Sequence, residues 1–205
     1  MSFEYACFVS YRHGVSSGYQ KIYESFCKQL AVQVELYLPG MEVYFDTGRL
    51  GGGDFFNRAL ALALCRSVCM ISLFNPYYFD PSHPYTAREY QAMVSLERQR
   101  LPLLPDGSRQ GLIIPVVLRG TLPVEISSER QYYEMELLVP DDWKKRKFLK
   151  ALKKIAKDIY IRHEAFRIAG VDPCRPCDGF EFPSEADIQD WLTDITAPPL
   201  RMPNR

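Results

Sequence analysis

SVCMISLF, at residues 67–74, is the stretch of this sequence that decides its fold. Its side chains are nearly all apolar, without the alternation of apolar and polar residues that a half-exposed strand shows. Strands with this pattern are covered by helices on both faces, as in the middle of a parallel sheet. Asn75-Pro76 follows it and predicts the end of the strand. The stretch therefore predicts the central strand of an α/β domain.

Strand-like and helix-like segments alternate on both sides of this stretch. Strands are predicted at residues 5–11, 41–46, 67–74 and 112–118, with a weak fifth strand between 123 and 133. Helices are predicted at about 19–37, 54–64, 86–100, 142–169 and 185–195. Such alternation implies a doubly wound parallel α/β sheet, and five strands most often take the order 2-1-3-4-5. We expect one domain over residues 1–170 and a C-terminal helical appendage over 171–205.

Two of these helices carry signals at their ends. The helix at 142–169 starts with acidic residues, which favour a helix N-terminus, and Gly170 predicts where it stops. Ser184 is the predicted N-cap of the last helix.

The composition favours no charged macromolecule as a partner. The 25 Lys and Arg residues balance the 25 Asp and Glu residues, so the overall charge recruits neither nucleic acid nor an anionic membrane. The longest apolar stretch, residues 59–74, is interrupted by Arg66, and a bilayer crossing needs about 20 apolar residues. Residues 1–10 lack a secretory signal pattern, which favours a cytoplasmic location. The basic cluster at residues 144–157 is interpreted as a solvated helix face.

Five of the six cysteines are predicted to be reduced thiols rather than ligands of a metal site. Cys7, Cys65 and Cys69 lie in apolar, strand-like runs, where cysteine behaves as a small buried hydrophobe. Cys174 and Cys177 form a single C-x-x-C motif, whereas a structural zinc site needs about four ligands. Because no second cysteine pair or close histidine pair follows, a turn with two free thiols is the favoured interpretation.

Several polar residues follow the first and third predicted strands. These strands are neighbours in the predicted order, and their connections leave in opposite directions, which opens a ligand-binding crevice at their carboxyl ends. Ser10, Tyr11 and Arg12 lie there after the first strand, and Phe74 and Asn75 after the third. The set offers no paired carboxylates for Mg²⁺, and the chain has neither a P-loop nor a G-x-G-x-x-G motif after a strand. Receiver domains, P-loop enzymes and Rossmann dinucleotide sites are therefore not favoured.

A set of sequence features occurs in a recognisable order along the chain. They are F-V-S-Y-R at 8–12, F-D at 45–46, a glycine-rich loop, C-R-S-V-C-M-I-S-L-F at 65–74 and Y-x-x-x-E at 85–89. Together they resemble the Toll/interleukin-1 receptor (TIR) domain, in particular its bacterial members, over about residues 5–165. The resemblance implies a flavodoxin-like fold. It also implies self-association through the loop that begins at Thr47 and ends at Phe56.

The resemblance also implies an activity. Many TIR domains cleave NAD into nicotinamide and ADP-ribose or a cyclic product, which makes NAD a substrate and requires no cofactor or metal. Such proteins act in innate immune or antiviral defence and are activated by self-assembly or by a sensor partner protein. Active members carry a glutamate in the helix after the third strand, and Glu89 matches that position as the catalytic residue. The expected substrate-binding residues are Ser10, Tyr11, Arg12, Asp46, Arg49, Phe74 and Tyr85.

A glutamate at position 89 suits this chemistry. A carboxylate close to the ribose can stabilise the oxocarbenium-like state in which the bond to nicotinamide breaks. Nicotinamide leaves as a neutral molecule from a cationic ring, so no strong general acid is needed. Tyr85 lies four residues before Glu89 on the same helix face and stands where many relatives have Trp. Alternatively, Glu89 is a solvated residue paired with Arg88 or a lysine, and Tyr85 packs in the core.

The other predicted site residues also have structural alternatives. Arg12 either holds a phosphate or ribose edge or forms a surface ion pair. Asp46 and Arg49 either form one lip of the pocket or cap the next helix. At the level of function, the alternatives to an NAD-cleaving enzyme are a non-catalytic TIR scaffold, which acts by homotypic contacts, and a nucleoside deoxyribosyltransferase-like enzyme.

Overall fold

A computed structural model describes residues 3–14, 16–46, 54–105, 110–135 and 145–196 of the chain. Its strands are β1 (Tyr5–Tyr11), β2 (Glu42–Phe45), β3 (Ser67–Phe74), β4 (Ile113–Val117) and β5 (Tyr133–Glu134). Its helices are α1 (Ser17–Glu35), α2 (Asp54–Cys65), α3 (Tyr85–Arg100), α4 (Val124–Ser127), α5 (Arg146–Ala169) and α6 (Glu185–Thr196). Short 3-10 segments lie at Leu101–Leu103 and Arg175–Gly179.

The five strands form one parallel sheet in the order β2-β1-β3-β4-β5, which confirms the predicted topology. Ser10 lies opposite Ser72 and Tyr11 opposite Leu73, so β1 and β3 reach the same edge of the sheet together. All eight residues of β3 are buried, as its sequence predicts for the central strand. The architecture is a flavodoxin-like α/β fold.

Helices cover both faces of this sheet. α1 packs with α5 on one face and α2 packs with α3 on the other, as the reversal of strand order at β1 and β3 requires. The N-cap of α1 is Ser16, whose side chain accepts a hydrogen bond from the backbone N–H of Tyr19. One stripe of α1 faces the core and is buried: Ile22, Tyr23, Phe26, Cys27, Leu30 and Val34.

The fifth strand is shorter than the predicted region at 123–133. It consists of Tyr133 and Glu134, which pair with Val116 and Val117 of β4. The first part of the predicted region instead forms the single turn α4, with Pro123 at its N-cap position. Proline suits the start of a helical turn, because the first N–H groups of a helix have no partner within it. The strand is therefore confirmed as an element, but it begins only where the region ends.

α5 begins later than its sequence predicts. Its first residue is Arg146 and its first turn contains no acidic residue, while residues 142–144 lie outside the described ranges. Gly170 ends the helix in the left-handed conformation, with a φ of 65°, as predicted. Neither α5 nor any other helix within the described ranges has the length and apolar character needed to cross a membrane.

The described part of the C-terminal appendage docks on α3 through α6. α6 starts with a capping box, in which Asp187 N donates to Ser184 Oγ at 3.2 Å and Ser184 N donates to Asp187 Oδ2 at 2.9 Å. Ser184 is thus confirmed as the cap. Further along α6, Trp191 stacks on Tyr90 of α3 with 5.7 Å between ring centroids. Aromatic packing therefore joins the appendage to the helix that carries Glu89.

The prediction of free thiols at Cys65 and Cys177 is wrong, because these two cysteines form a disulfide with 5.6 Å between their Cα atoms. Cys65 is the last residue of α2 rather than part of a strand. Its side chain meets the appendage at the junction of α2 and β3. Cys7 and Cys69 are buried in β1 and β3 with their thiols intact, as predicted, and Cys174 also keeps its thiol.

Candidate active site

The carboxyl ends of β1, β2 and β3 bring the main predicted site residues to one edge of the sheet. Ser10 and Tyr11 are the last two residues of β1, and both side chains are buried. Asp46 directly follows β2, and Glu89 lies in the second turn of α3, the helix after β3. This is the edge where the order of the strands reverses, and ligands of open α/β sheets bind there.

A chain of hydrogen bonds links Glu89 to the sheet. Ser10 Oγ lies 2.5 Å from Glu89 Oε2 and 2.7 Å from the hydroxyl of Tyr78. When Glu89 is ionised, Ser10 donates to its carboxylate and Tyr78 donates to Ser10. When Glu89 is protonated, its carboxyl group donates to Ser10 and Ser10 donates to Tyr78. The same three oxygens therefore accommodate both states of the carboxyl group. The contact fixes the carboxyl group of α3 at the end of β1.

Burial dominates the electrostatics of Glu89. It raises the pKa of the carboxyl group from 4.5 to about 8, against the hydrogen bond from Ser10, which lowers it. The charge of Asp46 raises the pKa further, and Arg88 lowers it. Among the ion pairs of the described residues there is none between Arg88 and Glu89, and Arg88 Nε instead donates to the backbone oxygen of Pro183 at 2.6 Å. The alternative of a solvated Glu89–Arg88 pair is therefore not what the structure has.

Two tyrosines near Glu89 were not expected from the sequence. Tyr78 is buried, and burial followed by the charge of Glu89 raises its pKa well above the usual range. Tyr44 of β2 has a pKa raised to about 12, first by burial and then by the charges of Asp46, Tyr5 and Glu89. Both hydroxyls therefore stay protonated and available as donors. No motif or spacing in the sequence marks either residue.

Tyr11, His13 and Asp46 form a second group beside this chain. The Tyr11 hydroxyl donates to the backbone oxygen of Asp46, and its ring lies 4.5 Å from that of His13. His13 Nε2 is 3.6 Å from Asp46 Oδ2. Burial lowers the pKa of His13, while Asp46 raises it and Arg12 lowers it. Tyr11 thus holds the backbone of Asp46 at the carboxyl end of β2.

One of the three guanidinium nitrogens of Arg12 has no hydrogen-bond partner among the described residues. Its Nη2 lies 3.8 Å from Asp80 Oδ2, which is a long ion pair, and its Nη1 donates to the backbone oxygen of His13. Its Nε is buried and has no hydrogen-bond partner among the described residues. The ion-pair alternative is therefore present in a weak form, and a donor remains for an oxygen of a ligand.

Phe74, the last residue of β3, and Asn75, the next residue, pack in the core rather than on an open surface. The side chain of Phe74 is only 6% exposed, and its ring packs at 5.9 Å from Tyr78 and 6.1 Å from Phe79. Asn75 is buried, donates to the Tyr23 hydroxyl at 2.5 Å and accepts from Tyr77 N at 2.7 Å. Phe74 therefore has little exposed ring surface for a substrate to contact. Its expected role in substrate binding stays a prediction.

No described contact links Tyr85 or Arg49 to the hydrogen bonds that join Glu89, Ser10 and Tyr78. Tyr85 is the first residue of α3, one turn before Glu89 as expected, but it is 54% exposed. It therefore does not pack in the core. Arg49 and residues 47–53 of the predicted assembly loop lie outside the described residues.

Two cavities lie away from Glu89. The larger, of about 870 Å³, lies beside β4, β5 and α5 and is lined by polar side chains that include Glu97, Arg130 and Asp158. The smaller, of about 280 Å³, separates α3 from the appendage near Phe182 and Asp187. Neither lining includes a residue of the predicted site.

We compared the chain with protein-family models, curated proteins and solved structures, and none of the three comparisons gave a match. The topology defines the class of this protein. It is a flavodoxin-like α/β protein with a partly buried glutamate at the edge where the order of the strands reverses.

Proposed function

We propose that this protein is an NAD glycohydrolase of the TIR type, which cleaves NAD into nicotinamide and ADP-ribose or a cyclic ADP-ribose product. The proposal is carried by the carboxyl group of Glu89, held on Ser10 at the carboxyl end of β1. Ligands of doubly wound sheets bind at this edge. Buried carboxyl groups with strongly raised pKa values are characteristic of catalytic sites.

The raised pKa of Glu89 suits a cationic substrate. The nicotinamide ring of NAD is positively charged, and a nearby cation lowers the pKa of a carboxyl group. In the proposal, NAD brings this charge beside Glu89 and the carboxyl group loses its proton. The resulting carboxylate stabilises the oxocarbenium-like ribose while nicotinamide leaves as a neutral molecule. Ser10 then donates to the carboxylate and keeps it in position.

Three neighbouring side chains are proposed to position NAD. Arg12 offers its buried Nε to a phosphate or ribose oxygen. Asp46, held by Tyr11, forms one lip of the pocket. Tyr85 presents an exposed ring at the start of α3, on which a flat base or the nicotinamide ring stacks.

The proposal also places the chain in a biological setting. We propose a cytoplasmic effector of innate immune or antiviral defence, without nucleic acid or membrane as a direct partner. Its activation is proposed to come from self-association through the loop that begins at Thr47 and ends at Phe56, or from a sensor partner protein. The backbone is described only for residues 54–56 of this loop.

Nicotinamide release from NAD by the concentrated full chain, with and without a crowding agent, tests the proposed function. We expect release by the wild type and a loss of about 100-fold or more in Glu89→Gln, because the amide cannot carry the negative charge. Glu24→Gln is the matched control. Glu24 is a partly buried carboxylate of α1 that accepts from Gln20 of the same helix at 3.2 Å. It should retain wild-type release.

The same assay separates the rival functions. A folded wild type that releases no nicotinamide at any concentration supports the non-catalytic scaffold. Release of a free base from deoxynucleosides, lost in Glu89→Gln, supports the nucleoside deoxyribosyltransferase-like enzyme. Equal nicotinamide release by Glu89→Gln and Glu24→Gln removes Glu89 from the chemistry.

A further inference from the structure

Three of the cysteines meet where α2, the end of α3 and the appendage come together. Cys65 ends α2 and forms a disulfide with Cys177 of the 3-10 segment Arg175–Gly179. Cys174 lies three residues before Cys177 and keeps its thiol, and its Sγ is 3.8 Å from the backbone oxygen of Cys65. The sulfur of Cys174 therefore lies against the backbone of Cys65, whose disulfide joins two distant parts of the chain.

A buried guanidinium group occupies the same place. Arg100, the last residue of α3, is 1% exposed. Its Nε donates to Pro173 O at 3.1 Å, its Nη1 donates to Ser67 O at 3.2 Å, and its Nη2 donates to Cys65 O. The same Nη2 lies 3.6 Å from Cys65 Sγ and 4.0 Å from Cys177 Sγ. The cation is thus surrounded by carbonyl oxygens and sulfur atoms.

The charge of Arg100 is not balanced by a direct ion pair within the described residues. The ring of Phe3 covers it, at 5.4 Å from the guanidinium carbon to the centroid. Burial lowers the pKa of Arg100 to about 10, against the charges of Cys174 and then Asp172, which raise it. A buried charge is costly without a counter-charge, and a neutral disulfide supplies none. A thiolate in the same place would supply it.

We propose that Cys65, Cys174 and Cys177 form a thiol–disulfide exchange site, in which Arg100 stabilises the thiolate of Cys65 when it leaves. The thiol of Cys174 gives its proton to water, and the thiolate attacks Cys177 Sγ. The bond between Cys174 and Cys177 forms, the bond between Cys65 and Cys177 breaks, and the electron pair stays on Cys65 Sγ. One disulfide is present before and after the exchange, so no oxidant or reductant is consumed.

The exchange changes how the appendage is attached. A disulfide between Cys174 and Cys177 lies entirely within the appendage and no longer ties it to α2. Non-covalent contacts, such as the stacking of Trp191 on Tyr90, then keep the appendage packed on α3. The inference does not depend on the proposed NAD cleavage, because it rests on sulfur and guanidinium positions alone.

Mapping of the disulfides in the full chain tests the exchange. Protein is held at about pH 5, where thiolate exchange is slow, and then shifted to about pH 8. Samples are quenched with acid, labelled with a thiol reagent under denaturing conditions and digested without reduction for mass spectrometry. We expect the 174–177 pair to grow after the shift in the wild type. Cys174→Ser should show the 65–177 pair alone at every time.

The role of Arg100 is tested by a pair of variants on the same helix. Arg100→Met should slow the exchange about tenfold, because a leaving thiolate with a higher pKa leaves more slowly. Arg98→Met is the control, since Arg98 is exposed and two residues away. Equal rates in the two variants would remove Arg100 from the proposal. A wild type that shows the 65–177 pair alone at both pH values would overturn the exchange itself, even if Arg100→Met does not fold.

Discussion

At Glu89, burial and hydrogen bonding act in opposite directions. Burial disfavours the carboxylate, and the hydrogen bond from Ser10 favours it, with burial the larger effect. The fold therefore keeps the carboxyl group neutral at neutral pH and ready to ionise when a positive charge approaches. This behaviour matches a carboxyl group that serves a cationic substrate better than one that serves stability.

The free energy of unfolding should depend on pH through the titration of Glu89. The pKa of Glu89 rises from 4.5 to about 8 on folding, so folding favours the protonated form. Its contribution to stability is complete below pH 4.5 and is lost as the pH rises through about 8. The glutamine in Glu89→Gln does not titrate. As the pH rises through this range, the free energy of unfolding of the variant relative to the wild type should therefore increase by about 2–4 kcal/mol. Urea unfolding at several pH values measures the difference.

The control for this experiment is Glu24→Gln. Both variants lose one carboxyl group, but Glu24 lies on α1, where it accepts a hydrogen bond from Gln20 of the same helix at 3.2 Å. A difference between Glu89→Gln and the wild type that stays constant from acidic to alkaline pH would contradict the raised pKa.

The two halves of the candidate site differ in how far sequence could reveal them. Glu89 was predicted because it ends a Y-x-x-x-E motif in the helix after the third strand. Tyr78 was not, because it meets Ser10 across 68 residues of sequence and lies in a loop without periodicity. Contacts of this kind depend on how the loop folds over the sheet, which no local pattern encodes.

Among the elements, periodic patterns predicted the sheet well. β3 was recognised because a strand covered on both faces needs apolar residues throughout, and the strand order followed from the alternation of strands and helices. The disulfide was missed because Cys65 and Cys177 are 112 residues apart, and spacing alone does not determine which cysteines pair. Cys65 also looked like part of β3, since the helix before it is equally apolar.

Gly170 should prove important for the end of α5. Its φ of 65° is a left-handed conformation that other residues adopt at a cost, and a Cβ there would meet nothing within 4 Å. Gly170→Ala should therefore destabilise the protein by about 1 kcal/mol through backbone strain alone. Thermal unfolding measures the change.

Gly179 supplies the matched comparison for this glycine. A Cβ there also meets nothing within 4 Å, and its φ is not positive. Gly179→Ala should therefore be neutral or slightly stabilising. Equal destabilisation by the two substitutions would argue against strain at Gly170.

The whole molecule is a sheet domain with an appendage braced against the helix of the candidate site. Trp191 of α6 stacks on Tyr90 and meets Phe79 edge to face at 5.4 Å. Arg88, next to Glu89 in sequence, donates to Pro183 of the appendage. α3 is thus fixed from its outer side by the appendage and from its inner side by Ser10.

Removal of this brace should affect stability and activity together. Trp191→Ala should cost about 2–3 kcal/mol, somewhat below the value for a fully buried tryptophan because Trp191 is half-buried. It should also lower nicotinamide release, since α3 would hold Glu89 less firmly. Urea unfolding and the release assay measure the two effects.

Tyr132→Ala is the control for the loss of an aromatic ring. Tyr132 is 42% exposed and lines the cavity beside β5, away from Glu89. This substitution should leave nicotinamide release unchanged. If Trp191→Ala destabilises the protein but releases nicotinamide at the wild-type rate, the appendage stabilises the fold without positioning Glu89.

The pH dependence of NAD cleavage tests the central claim, that the carboxyl group of Glu89 acts in its ionised form. We predict that kcat/KM for nicotinamide release rises with pH to a plateau, with a midpoint near the pKa of about 8 in the free protein. The midpoint of kcat should lie lower, because the cationic ring favours the carboxylate, and Glu89→Gln should show no such profile. Release that falls as the pH rises towards 8, or an unchanged profile in Glu89→Gln, would contradict the claim.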